Sequence, residues 1–390
     1  MSGAPGGGTS LDEQLRAAAA AGDAPRVEQL LAAGADACTP GGGGVTPLMA
    51  AAEAGSAGGV AALLRAGAPW NALDDDGYCA GDYANAGKNP EVIETLLNWG
   101  VQCEELLAAM ERNEEGGAAA APANASYLQQ RLVYDGDRLI DADGEAVMMG
   151  WELPLMVEHA KEICARGGDV LNIGFGLGLV DEEMQKHRPA SHTIVEAHPD
   201  VHAHMLKLGW DKRPGVTILF GRWQDVLPQL LQKRFDGIFF DTYGEYYEEL
   251  HAFHQQLPAL LKPGGTYSFF NGFASDNAFF HLVYGRLIQL ELQRLGVVTR
   301  YRRMAVDELG DDVWRGIKNK YWKWLFYFLP TCVLQIEEAP GEEAPAEEAP
   351  AEEGPGGEAT EEAGGGCGGG GEPQEGGQEP QQQRRQPAAA

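Results

Sequence analysis

The chain has 390 residues, 44% of them hydrophobic and 8% aromatic, enough to bury the cores of two folded units. Its net charge of −29 argues against nonspecific binding to nucleic acid or to acidic membranes, both of which need clustered positive charge. Cysteines at 38, 79, 103, 164, 332 and 367 contain no C-x-x-C pair, and no stretch reaches the ~18 apolar residues of a membrane helix. No disulfide framework, zinc site, secretory leader or membrane span is therefore expected, and the reading is a soluble protein of a reducing compartment, cytosol or nucleus.

Residues 11–106 repeat. "LLAAGAD", "LLRAGAP" and "LLNWGVQ" place Gly34, Gly67 and Gly100 at intervals of 33 residues, the ankyrin period. "VTPLMAAAEAG" at 45–55 resembles the T-P-L-H-x-A ankyrin signature with Met49 where His is usual, and "DDDG" at 74–77 supplies a turn of the same form. Such units bury their apolar faces only by stacking, so about three all-α repeats are expected, offering a surface to a protein partner. Residues 107–126 break the pattern, with "GGAAAAPANAS" reading as a linker.

From 127 the pattern changes to alternating β and α. "RLVYDGDRLIDADGEAVMMGWE" predicts a strand, a turn at Asp143-Gly144 and a second strand. Helices at 153–166 and 177–187 alternate with strands at 169–174, 192–197, 215–221, 235–243 and 264–272. Short, nearly continuous apolar strands between helices indicate a mostly parallel, Rossmann-like sheet covered on both faces. Residues 296–306 and 320–330 are expected to pair as an antiparallel edge. From 337 to 390, 14 Glu face two Arg among Pro, Gly and Gln runs, so 12 of the negative charges are local and a disordered acidic tail is expected. The other −17 favours a basic partner at long range.

A sheet of this kind binds its ligands at the carboxyl ends of its strands. The turn after the first parallel strand is Gly174-Phe175-Gly176-Leu177-Gly178, and Leu179 stands where a dinucleotide fingerprint requires a third glycine. Glu196, 22 residues after Gly174, can still hold two ribose hydroxyls, so a nucleoside without a pyrophosphate is indicated. With Trp223 and Gln224 to flank an adenine, and backbone amides after the glycines for an amino-acid moiety, the set fits S-adenosylmethionine. Asp225 reads equally well as a helix N-cap.

The segments "VMMGWELP", "VLNIGFGLGLV", "HTIVEAHPDV", "GRWQDVLPQL", "FDGIFFDTYGE" and "LLKPGGTYSFFNG" resemble guanidinoacetate methyltransferase and its relative, the type IV protein-arginine N-delta-methyltransferase, over about 127–335. The ankyrin-like extension favours the arginine enzyme and a protein substrate. The resemblance implies a class I methyltransferase domain over 127–336. It also implies S-adenosylmethionine contacts from Tyr127, Met148, Gly174, Phe175, Gly176, Leu177, Gly178, Leu179, Val180, Glu196, Ala197, His198, Trp223, Gln224 and Asp241. Met149 competes with Met148 for the methionine position.

The acceptor chemistry follows from the guanidinium itself. It is charged and poorly nucleophilic, so carboxylates must hold its planar fork and accept a proton as the new bond forms. Glu152 and Asp241 are the acids best placed to converge, and Trp151 and Tyr243 could stack on the plane. The other role open to Glu152 is capping the helix that begins near Pro154. His192, His198, His202 and His204 lack the further ligand a metal site needs and read as a solvated helix face. The acids of "YGEYYEEL", Glu245 among them, read as the start of a helix. The expected function is methylation of the δ nitrogen of arginine in a protein. The alternatives are methylation of a small guanidino compound, or an inactive ankyrin scaffold.

Overall fold

The computed structural model describes residues 9–114, 124–244 and 247–336. The N-terminal region is three helix pairs: α1 (Leu11–Ala20) with α2 (Ala24–Ala32), α3 (Pro47–Glu53) with α4 (Ala57–Arg65), and α5 (Ala80–Ala86) with α6 (Pro90–Glu114). Each first helix has a local start signal. Ser10 caps α1 and Thr46 caps α3, where the Met49 sulfur stands 3.3 Å from the Thr46 amide and takes over the second half of the capping pair. Asp74 orders the turn before α5 by accepting the amides of Asp76 and Tyr78 and the Tyr83 hydroxyl.

The third repeat departs from its expected form. Gly34 and Gly67 turn the chain at positive φ, but Gly100 lies inside α6, packed against Trp70 and Val283. A helix continues there because no residue demands the left-handed turn. It runs to Glu114, so 107–114, expected as linker, is helical. Residues 115–123, the core of that expected linker, lie outside the described residues, as do Glu245 and the predicted acidic tail at 337–390.

The expected N-terminal hairpin is a three-stranded meander. β1 (Val133–Asp135) turns back at Gly136 into β2 (Arg138–Ile140), and a second turn leads to β3 (Ala146–Met149). Asp135-Gly136 is a turn signal in its own right, which divides the first expected strand. Then follow α7 (Leu153–Cys164), β4 (Asp169–Ile173), α8 (Leu179–Lys186), β5 (Ser191–Glu196), α9 (Pro199–Lys207), β6 (Val216–Phe220), α10 (Trp223–Leu230), β7 (Phe235–Phe240), α11 (Tyr247–His254), α12 (Leu257–Leu260), β8 (Leu261–Phe269), α13 (Ala278–Arg294), β9 (Val297–Ala305) and β10 (Phe326–Leu334).

These ten strands make the meander and a seven-stranded sheet of order β6-β5-β4-β7-β8-β10-β9. The first five strands of that order are parallel, and β10 runs antiparallel to both β8 and β9. The antiparallel edge forms, but β10 starts at Phe326 rather than near 320. Residues 314–324 instead fold an aromatic cluster of Trp314, Tyr321, Trp322 and Trp324 against Trp151 and Leu155.

Register places the site. Ile173 pairs with Val195 on one side and Phe240 on the other, and Glu196 pairs with Phe220. The carboxyl ends of four strands therefore stand level, and the chain after each faces one cavity.

The two regions share a core. Phe279, Val283 and Leu287 of α13 are buried in the same cluster as Leu48, Leu63, Val92 and Leu96 of the repeats. A Cβ on Gly81 would fall 2.0 Å from the Phe279 ring, so that position must be glycine for α5 to meet α13. Tyr284 donates to Glu104, and Arg294 pairs with Glu105. α13 thus covers the open end of the repeat stack.

Candidate active site

A cavity of about 840 Å³ opens at the carboxyl edge of the sheet. Of the expected residues, Tyr127, Met148, Glu152, Gly174, Phe175, Gly176, Glu196, Ala197, Trp223, Asp241 and Tyr243 line it. Leu177, Gly178, Leu179, Val180, His198 and Gln224 do not. α8 begins at Leu179 and turns the chain away, and Val180 packs in the cluster beneath with Phe175 and Trp210. His198 is fully buried; it donates from Nε2 to the Tyr127 carbonyl and its ring lies tilted 4.9 Å from that of Tyr127, so it sets Tyr127 rather than facing the cavity.

The glycines serve the protein as well as a ligand. Gly174 has φ +94°, and a Cβ there would stand 1.8 Å from the Asp241 carbonyl, so only glycine lets β4 and β7 end side by side. A Cβ on Gly176 would meet the Met148 sulfur at 2.9 Å. That sulfur is also 3.3 Å from the Leu177 amide, which assigns Met148 to the cavity wall, whereas Met149 is buried in the aromatic cluster behind.

Glu196 anchors the loop. Oε2 accepts the Phe175 amide at 2.9 Å and Oε1 the His198 amide at 2.6 Å. Burial raises its pKa, and the backbone amides oppose that rise. The carboxylate also lines the cavity, where a ribose diol could donate to it. The indole Nε1 of Trp223 is buried and has no hydrogen-bond partner among the described residues. A pocket lined by Tyr127, Met148 and Trp223, the glycine turn and the Glu196 carboxylate fits an adenosyl sulfonium. The residues present could hold S-adenosylmethionine.

Glu152 and Asp241 enter from opposite sides. Glu152 is 3% exposed and directly precedes α7, yet its side chain makes no cap bond to that helix. Across a 3-10 turn, Oε1 accepts the Met149 amide at 2.9 Å and the Tyr321 hydroxyl at 2.5 Å. Burial first, then the charge of Asp241, push its pKa up to about 8. Asp241 is held through its backbone, N–H to the Ile173 carbonyl at 2.9 Å, and its Oδ2 is buried without a partner among the described residues. Burial and the neighbouring Asp181 raise it to about 7. Two acids lining one cavity, one buried and one half-buried, whose charges repel are arranged to receive a cation.

Tyr321 is among the cavity residues that sequence reasoning missed, with Asn124, Glu145, Tyr247, Glu248 and Tyr284, and it is the one that bonds Glu152. It lay inside a segment expected to be edge strand, and nothing in its local pattern separates it from the aromatic residues around it. Trp151 is not part of the wall; it packs on Trp314, Tyr321 and Trp322 and so supports Tyr321. Tyr243 lines the cavity with its ring 4.8 Å from that of Tyr127 and its hydroxyl on Asp141. Asp225 is in the first turn of α10 and pairs bidentately with Arg222.

The histidine cluster is not a solvated face. His192 is buried on β5 beside Asp181 and Gln185, His202 stacks on Phe220 and His204 on Tyr134. Each has an aromatic or polar neighbour of its own, and among the described residues no group of three or more His, Cys, Asp or Glu could hold a metal.

The guanidinoacetate N-methyltransferase family model matches residues 112–290, and an ankyrin model of three repeats matches 15–105. The chain is 34% identical over 315 residues to protein arginine N-methyltransferase 2 of Aspergillus oryzae, covering 69% of this chain and 76% of that one. The protein of the same name from Cryptococcus neoformans is 35% identical over 307 residues, 70% and 81% of the two chains, and that from Saccharomyces cerevisiae 32% over 312 residues, 69% and 75%. With at least 32% identity to these relatives and three quarters or more of each one's length covered, the chain belongs to the protein arginine N-methyltransferase 2 family.

Proposed function

We propose that this protein methylates the δ nitrogen of arginine residues in a protein substrate, with S-adenosylmethionine as donor, in the cytosol or nucleus. The observation that carries the reading is the pair Glu152 and Asp241, a buried carboxyl and a half-buried one with its Oδ2 buried, both lining one cavity that also contains Glu196 and the glycine turn. The names of the relatives favour a protein acceptor over a small guanidino compound.

When bound, the donor supplies an electrophilic methyl on sulfonium and departs as a thioether. The rest falls to the chain. An entering guanidinium brings positive charge to two acids whose pKa values stand raised, and so draws those values down. Glu152, fixed by Met149 and Tyr321, offers one edge of a bidentate clamp, and Asp241 faces it with the unpartnered Oδ2. The clamp determines which nitrogen points at the methyl group. As the nitrogen–carbon bond forms, the nitrogen sheds its proton, and Asp241 Oδ2 is the open acceptor for it.

Incubation with labelled S-adenosylmethionine and a cell extract, followed by hydrolysis of the protein fraction, should yield δ-N-methylarginine and neither ω-dimethylarginine isomer. Label confined to small molecules would transfer the reading to a guanidinoacetate-type acceptor. Label nowhere, with the donor still bound, would leave an inactive scaffold.

A further inference from the structure

A second, smaller cavity of about 110 Å³ lies where α6 of the repeats meets the catalytic domain. Glu104, Leu107 and Ala108 of α6 form one wall, and Tyr247, Glu248, Tyr284 and Leu287 the other. Tyr247, Glu248 and Tyr284 also line the main cavity, so the smaller one is a channel at the ankyrin helix that adjoins the main cavity and shares those three residues with it. Tyr284 ties its walls together by donating to Glu104 at 3.1 Å. Beyond the channel, α6 presents Leu106, Leu107 and Met110, all more than half exposed, beside Glu104 and Glu105. Three large apolar side chains within five residues, uncovered and next to carboxylates, are an unusual surface for a helix end.

We infer that this channel seats the segment of the protein substrate that flanks the target arginine. That segment is basic and carries a large apolar residue, its cation facing Glu104 and Glu248 and its apolar side chain packing on the Leu106–Leu107–Met110 face. The assignment rests on the arginine-methyltransferase reading. The grounds for this occupant are adjacency to the site and charge: the walls offer two carboxylates and no Lys or Arg. Because α13 is buried in the repeat core, the two walls are held in fixed relation. The ankyrin region then sets substrate choice through α6, at the edge of the active site.

Three synthetic peptides test this: an arginine flanked only by glycines, and the same peptide extended with Lys-Leu-Lys on its N-terminal or its C-terminal side. One extended peptide should show a KM about ten-fold below that of the glycine peptide, an advantage that shrinks with salt. Glu104→Lys and Leu107→Asp should each remove that advantage and leave turnover of the glycine peptide unchanged. Glu104→Gln, which keeps an acceptor for Tyr284, should lose part of it. Equal KM for all three peptides, or an advantage that survives both substitutions, would overturn the channel assignment alone. No methylation of any peptide or extract protein would overturn the arginine reading and the channel with it. A concentration-dependent dimer dissolved by Leu107→Asp would assign the apolar face to a second copy instead.

Discussion

Glu152 and Tyr321, 169 residues apart in the chain, are joined by a 2.5 Å hydrogen bond in which the phenol donates to the carboxylate Oε1. The bond stabilises the ionised acid, working against burial and the charge of Asp241. The far end of the domain thus reaches back to tune the first acid of the site.

Tyr321→Phe keeps the ring in its aromatic cluster and removes only this bond. A charge-assisted hydrogen bond is worth about 1.5–3 kcal/mol, so kcat/KM should fall at least ten-fold at neutral pH. The Glu152 pKa should rise further, moving the ascending limb of the pH–rate profile to higher pH. Donor affinity, measured by calorimetry, should hold. A profile that falls in height without shifting would show that Tyr321 does not act through Glu152.

Stability should depend on pH through the same acids. Glu152 and Asp241 have folded-state values of about 8 and about 7, both raised above their ordinary range. Their contribution to folding is complete below about pH 4 and is lost as pH rises through 7 and 8, where the folded state alone must shed protons. Glu152→Gln stays neutral and can still accept from Tyr321 and Met149. Its Tm should match the parent near pH 5 and exceed it at pH 9, while activity is lost. A Tm difference that does not vary with pH would refute the linkage.

Glu196→Gln should weaken S-adenosylmethionine binding by about 1.5–3 kcal/mol, since one oxygen can no longer accept, and should lower Tm in part, since the new NH2 cannot accept the Phe175 or the His198 amide. Glu196→Ala should lose as much and lower Tm further, because the Phe175 and His198 amides are left buried without a partner. Calorimetry and melting together separate the two effects. Unaltered affinity in both variants would remove Glu196 from the donor site.

The shared core predicts one unfolding event. Phe279 is 4% exposed among repeat residues, so Phe279→Ala should cost about 3–5 kcal/mol and lower a single calorimetric transition. Two well-separated transitions in the parent protein would show that the repeats and the catalytic domain unfold independently.

What the amino-acid order determined by itself was local or periodic. The ankyrin period, the alternation of apolar strands with helices, the glycine turn and the acids at the strand ends follow from short-range sterics and from the two periodicities of burial. That is why Glu152, Glu196 and Asp241 were legible, along with the sheet that carries them. Tertiary structure decided what depends on contacts between distant segments. It brought Tyr321 onto Glu152, set Met148 rather than Met149 in the wall, turned Gln224 and His198 away from the cavity, and carried α6 through Gly100 onto α13. No local pattern encodes these, because each is settled by packing between surfaces whose residues lie up to 183 positions apart, as Gly100 and Val283 do, and a helix or strand signal is silent about its neighbours.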